Sequence, residues 1–138
     1  MVRSILGVLV GAVVWMVGFF VLALALAQLW PDYGVHARQW TQENVFTFTS
    51  LMALFTLLFW ALAEIGAGWS AAKIAKRREA VWVVAAIVGI YLATLHFVLY
   101  WPRFPWWYNL GVVIPAIPAV LFGGALARER LQGKLSQS

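Results

Sequence analysis

Four long apolar runs constrain this chain more than any other feature: Ile5 to Leu29, Val45 to Ala72, Val81 to Trp101 and Trp107 to Ala127. A helix rising about 1.5 Å per residue needs about 20 mostly apolar residues to cross a hydrocarbon core of about 30 Å, and each run is long enough. Inside them the one charged side chain is Glu64. Open strands cannot satisfy their backbone groups in lipid, and no alternating pattern marks a barrel. The expectation is therefore an all-α, four-transmembrane-helix bundle running up-down-up-down, with residues 1–138 forming a single membrane domain. About 20 apolar residues precede the cleavage-like Ala25-Leu26-Ala27, too many for a signal peptide's core of about 7–15, so the first run is read as a retained span.

Composition agrees and removes whole classes of function. The chain is 64% hydrophobic and 11% charged, whereas soluble domains run at roughly 45–50% and 25%. It has no cysteine, which excludes a disulfide scaffold, a thiol nucleophile and a Cys-ligated zinc. The net charge of +5 sits in clusters beside apolar runs rather than on a broad polar face, so no nucleic-acid partner is expected.

Those clusters set the orientation, because Lys and Arg are retained on the cytoplasmic side during insertion. Arg3, Lys73, Lys76, Arg77, Arg78, Arg128, Arg130 and Lys134 fall on one side, Arg38 and Arg103 on the other. Both termini are thus expected in the cytoplasm. The Lys73, Lys76, Arg77, Arg78 loop is also suited to anionic lipid headgroups. Trp30, Tyr33, Tyr100, Trp101, Trp106, Trp107 and Tyr108 at one level, and Trp69 and Trp82 at the other, read as headgroup anchors. The polar stretch Pro31 to Asn44 is long enough for a short interfacial helix with Val35 and Trp40 towards lipid. A faint tandem repeat relates Trp30-Pro31-Asp32-Tyr33 to Trp101-Pro102-Arg103-Phe104, a likeness that interfacial helix ends also produce unaided.

Helices in lipid associate where small residues let backbones approach. Every span offers such a face: Gly7, Gly11 and Gly18; Ala63, Ala67 and Ala71 with Gly68; Ala85, Gly89 and Ala93; Ala119, Gly123 and Ala127. These faces suit a tight bundle, a homo-oligomer or docking to other membrane subunits. Pro115 and Pro118 release the carbonyls of Gly111 and Ile114, so a kink or unwound turn is expected in the fourth span.

Glu64 lies about 14 Å inside the boundary marked by Lys73, near mid-bilayer, on the small-residue side of its helix. A carboxyl there is expected in its neutral form, donating a hydrogen bond to a neighbouring helix, with Tyr91 the first candidate partner. The alternative is exchange of a proton or cation during transport. His96 sits on the Gly89 and Ala93 face, about 10 Å in depth from Glu64. An interhelical hydrogen bond is its simplest role; ligation of a haem iron or chlorophyll magnesium is the other. No protein metal cluster can be assembled with His36 alone. Thr56 and Thr94 are expected to bond back to their own helices. No nucleophile elbow, zinc-protease motif, phosphate loop or carboxylate pair is present, so no enzyme is indicated.

Gly66-Ala67-Gly68-Trp69-Ser70-Ala71-Ala72-Lys73-Ile74-Ala75, Phe104-Pro105-Trp106-Trp107 and Pro118-Ala119-Val120-Leu121-Phe122-Gly123-Gly124-Ala125-Leu126-Ala127 together resemble a loose group of small bacterial four-span membrane proteins with no assigned activity. The resemblance implies a bacterial inner membrane and adds no activity; no cofactor is expected. Two functional expectations remain: an accessory or structural subunit packing through its Gly/Ala faces, or a small transporter or ion- or proton-conducting oligomer built on Glu64 and the Pro115/Pro118 break.

Overall fold

The computed structural model describes residues 1–43 and 45–135, with side chains through Arg128; Asn44 and the side chains of Arg130 and Lys134, counted above for topology, lie outside the described part. It is all-helical: α1 (Val2–Leu29), α2 (Pro31–Glu43), α3 (Ser50–Ala75), α4 (Arg78–Thr94), which continues as a π-helical turn (Leu95–Tyr100), and α5 (Trp106–Leu135). Four of these stretches are long and apolar enough to cross a membrane: Val2–Leu29, Ser50–Ala75, Arg78–Tyr100 and Trp106–Arg128.

The second span starts later than its apolar run. Residues 45–49 are not helical, because Thr49 caps α3, its hydroxyl accepting the Met52 N–H, and Thr47 is tied to α2. His36 Nδ1 lies 2.7 Å from the Thr47 hydroxyl, which donates to Gln39 Oε1 at 2.7 Å. Phe48 is buried against Tyr33 and Trp40. The short helix expected over the polar stretch is present, with Val35 exposed, but Trp40 is buried against Phe19 instead of facing lipid. Tyr33 and Tyr108 likewise leave the headgroup level for the core, where both are fully buried.

Small residues decide the packing. The buried stripe of α1 is Gly7, Gly11, Trp15 and Phe19, one residue per turn. A Cβ at Gly7 would come within 2.8 Å of Ala75 Cβ, and one at Gly11 within 3.1 Å of the Ala67 carbonyl oxygen. The GxxxG pair is therefore covered by α3 of the same chain, running antiparallel. α3 and α5 run parallel and cross reciprocally: a methyl at Gly68 would fall on the Val120 carbonyl, and one at Gly123 on the Ile65 carbonyl. α4 closes the bundle, with Val84 against Gly11, Val81 against Gly124 and Ile117 against Gly89. Gly7, Ala75, Val81 and Gly124 thereby mark one end of the bundle; α2 and the Trp101–Pro105 turn mark the other. Gly18 meets Ala63 only at ordinary contact, 3.7 Å.

Helix α5 runs through Pro115 and Pro118 without an unwound turn. The irregular backbone occurs instead at the end of α4. There the Leu95 N–H is shared between the Tyr91 and Leu92 carbonyls and the π-helical turn follows. Pro102 has no N–H for the Val98 carbonyl, so the regular ladder cannot continue past this point.

Candidate functional site

Glu64 is fully buried on α3, on the arc between Ala63 and Ala67, which face α1, and Gly68, which faces α5. Among the described residues neither carboxyl oxygen has a hydrogen-bond partner. Tyr91, the partner expected first, is not bonded to it; its half-exposed ring stands edge-on to Trp15, with centroids 5.3 Å apart. The reason is rotational: Tyr91 points away from the Ala85, Gly89 and Leu92 side that α4 buries. Thr56 and Thr94 bond back to Met52 and Ile90 at 2.9 and 2.8 Å. Thr56 also holds the Tyr33 hydroxyl at 3.1 Å. Burial pushes the Tyr33 phenol above its ordinary range, and the Thr56 bond pulls the other way.

His96 carries the most specific geometry. It lies in the π-helical turn, 1% exposed, with Nδ1 2.8 Å from Asn109 Oδ1 on α5. The other end of that amide donates from Nδ2 to the Phe104 carbonyl at 3.2 Å. A carbonyl can only accept, so the amide nitrogen must face Phe104 and the amide oxygen must face the ring. Nδ1 is therefore the protonated nitrogen. Nε2 keeps its lone pair and has no hydrogen-bond partner among the described residues.

That imidazole forms part of the wall of a cleft of about 410 Å³ between α1 and α4, at the α2 end. The other walls are aromatic: Trp15 and Phe19 from α1, Trp40 from α2, Trp60 from α3, Tyr91 and Tyr100 from α4 and its extension. Phe19 stacks on Trp60 at 3.8 Å, Trp15 tilts against Trp60 at 6.1 Å, and His96 stands edge-on to Tyr100 at 5.3 Å. Ala12, Met16, Ile87 and Leu95 border the side facing away from the bundle axis. Its volume is within the range of small-molecule sites, about 300–1,000 Å³. π-Helical turns recur at functional sites because they re-aim one side chain without ending the helix.

Three of the lining residues carry donors of their own: among the described residues the indole N–H groups of Trp15 and Trp40 have no partner, and that of Trp60 and the Tyr108 hydroxyl are near each other but short of hydrogen-bond geometry. A second cleft, of about 620 Å³, continues past Phe19, Phe20, Trp40 and Thr41 towards Gln28 and Arg38 beneath α2.

At the opposite end Lys73 folds over the Trp69 ring at 4.2 Å, and Lys76, Arg77 and Arg78 are exposed. The packing residues Ala67, Gly68, Ala71, Gly89 and Gly123 are buried and Ala93 half-buried. No metal-ligating group of three His, Cys, Asp or Glu occurs among the described residues. Asn109, Trp15, Phe19 and Trp60 also belong to the site, although no motif in the sequence marks them. The available signal was the i, i+4 continuation of Gly7 and Gly11 into Trp15 and Phe19.

No family model, curated protein or solved structure matches the chain.

Proposed function

We propose that this small four-span membrane protein is a non-catalytic binding subunit that holds a lipophilic small molecule in the aromatic cleft beside His96. One observation carries the reading: an imidazole in a cleft wall whose Nδ1–H is engaged by Asn109 and whose Nε2 has no partner among the described residues. Nε2 is not among the fully buried unpartnered atoms, so it keeps access to the cleft that His96 lines, where a guest can donate to it. Access is lateral, from lipid, between α1 and α4. In this reading the chain sits in a bacterial cytoplasmic membrane with its termini and the Lys73 to Arg78 loop inside and the cleft towards the outer leaflet. Gly7, Gly11, Gly68 and Gly123 are covered within the bundle, so docking to other subunits would use the aliphatic faces of the spans, such as Leu9, Val13 and Val17 of α1.

Native mass spectrometry of the protein released from mild detergent, after exposure to a membrane lipid extract, tests this. A discrete apolar adduct is expected on the wild type and not on Ala12→Trp, which fills the cleft from its lipid side. Equal adducts on both proteins, or none on either, contradict the proposal.

A second reading, proton or cation transport, is favoured by the unpartnered Glu64 carboxyl. Glu64 lines neither of the two clefts described. Proton flux into liposomes that is lost in Glu64→Gln would establish that reading; flux indistinguishable from empty liposomes would remove it.

A further inference from the structure

Resting on the cleft reading above, we infer that the guest is a hydroxyaromatic of the hydroquinone or phenol class, held by donation of its O–H to His96 Nε2. The polarity of the bond follows from a chain of fixed partners. The Phe104 carbonyl orients the Asn109 amide, the amide oxygen takes the Nδ1 proton, and Nε2 is left as an acceptor. A guest presenting a hydroxyl satisfies it. One presenting a carbonyl or an ether oxygen can accept from the indole N–H groups of Trp15, Trp40 or Trp60, as a hydroxyl also can, but at His96 Nε2 it sets lone pair against lone pair.

The shape follows from the walls. Trp15, Trp60, Tyr91 and Tyr100 line it, and aromatic walls receive a flat ring in offset or edge-on contact better than a flexible chain or a puckered ring system. About 410 Å³ takes one or two fused rings and the first carbons of a substituent. The border formed by Ala12, Met16, Ile87 and Leu95 lets a longer tail pass into lipid. No charged side chain lines this cleft, so the acidic substituents of a haem would have no counter-charge there, although His96 Nε2 is itself a competent metal ligand. The same headgroup chemistry occurs on free phenols and on lipid-borne hydroquinones.

The test is a calorimetric titration of the full-length protein in mild detergent with 2,3-dimethyl-1,4-naphthohydroquinone kept reduced, with its quinone, and with its dimethyl ether. The hydroquinone is expected to bind about three- to tenfold more tightly than the quinone or the ether, as one hydrogen bond of ordinary strength requires. In His96→Phe that preference should vanish while all three still bind. Unchanged or improved binding of the hydroquinone carrying a decyl chain on the ring assigns a lipid-borne guest; binding abolished by the chain assigns a free phenol. Equal affinity for hydroquinone and ether in the wild type overturns the inference while leaving the cleft reading standing. So does a His96-dependent Soret band on titration with haemin that the hydroquinone fails to suppress. If none of the three compounds binds, and Ala12→Trp behaves as wild type towards all of them, the cleft reading itself fails.

Discussion

The two ends of the bundle are built on opposite principles. At the end marked by Gly7, Ala75, Val81 and Gly124, glycine and alanine bring backbones into contact, and a single added methyl has nowhere to go. At the α2 end the same helices are held apart by Trp15, Phe19, Trp40 and Trp60. Rigid rings meeting edge-on and tilted leave space between them, and the cleft is that space. One stripe on α1, Gly7-Gly11-Trp15-Phe19, contains the change from one principle to the other. The contrast teaches that a closed end fixes the helix positions and so permits an open one.

The largest effect should come from forcing the closed end apart. Gly123→Val or Gly68→Val places a side chain on a facing carbonyl, and a loss of at least about 3 kcal/mol is expected. It should appear as loss of the folded species in a denaturant titration in detergent. Full stability in either variant would mean that α3 and α5 do not cross at these glycines. Next, Asn109→Leu removes the acceptor of the His96 proton and the donor to Phe104, costing about 1–3 kcal/mol. Faster hydrogen exchange should be confined to the α2 end, since nothing at the glycine end depends on this pair.

Replacing Glu64 by methionine, an unbranched side chain of similar length, sharpens the comparison from the middle. Its carboxyl is buried with no partner, so Glu64→Met should be more stable by about 1–3 kcal/mol. A large loss would show that the acid serves the fold. Gly18→Ala is the small counterpart of the valine variants. Its methyl finds only ordinary contact, so the change should lie between neutral and about 1 kcal/mol of added stability from helix propensity. The smallest effect concerns pH. Burial raises the Tyr33 phenol above its unfolded value, so its contribution is complete below the ordinary tyrosine range and is lost as pH rises through the raised value. Tyr33→Phe should flatten that alkaline slope.

The apolar runs identified the spans because length and hydropathy alone select helices in lipid. The small-residue faces were equally readable, since close approach requires small side chains at helical spacing. Residues 45–49 read as part of the second span because they are apolar, but that character serves tertiary contacts, Phe48 with α2 and Phe46 with Phe104 and Tyr108, rather than helix. Trp40, Tyr33 and Tyr108 belong to the core for a tertiary reason: α2 folds back over the end of the bundle and covers what would otherwise meet headgroups. The prolines of α5 suggested a break that the backbone takes at His96 instead. The His96–Asn109 pair joins residues on two different helices, and nothing in local spacing reveals which polar residues of separate spans share a depth and a facing side.

The most direct test is the protonation pattern of one ring. The chain has two histidines, so nitrogen-15 NMR of the detergent-solubilised protein, with His36→Gln to assign the signals, reports His96 alone. The structure requires a protonated Nδ1 and a pyridine-type, unbonded Nε2 that shifts when the hydroquinone is added. A proton on Nε2 in the free protein, or an Nε2 signal indifferent to the hydroquinone, would contradict it.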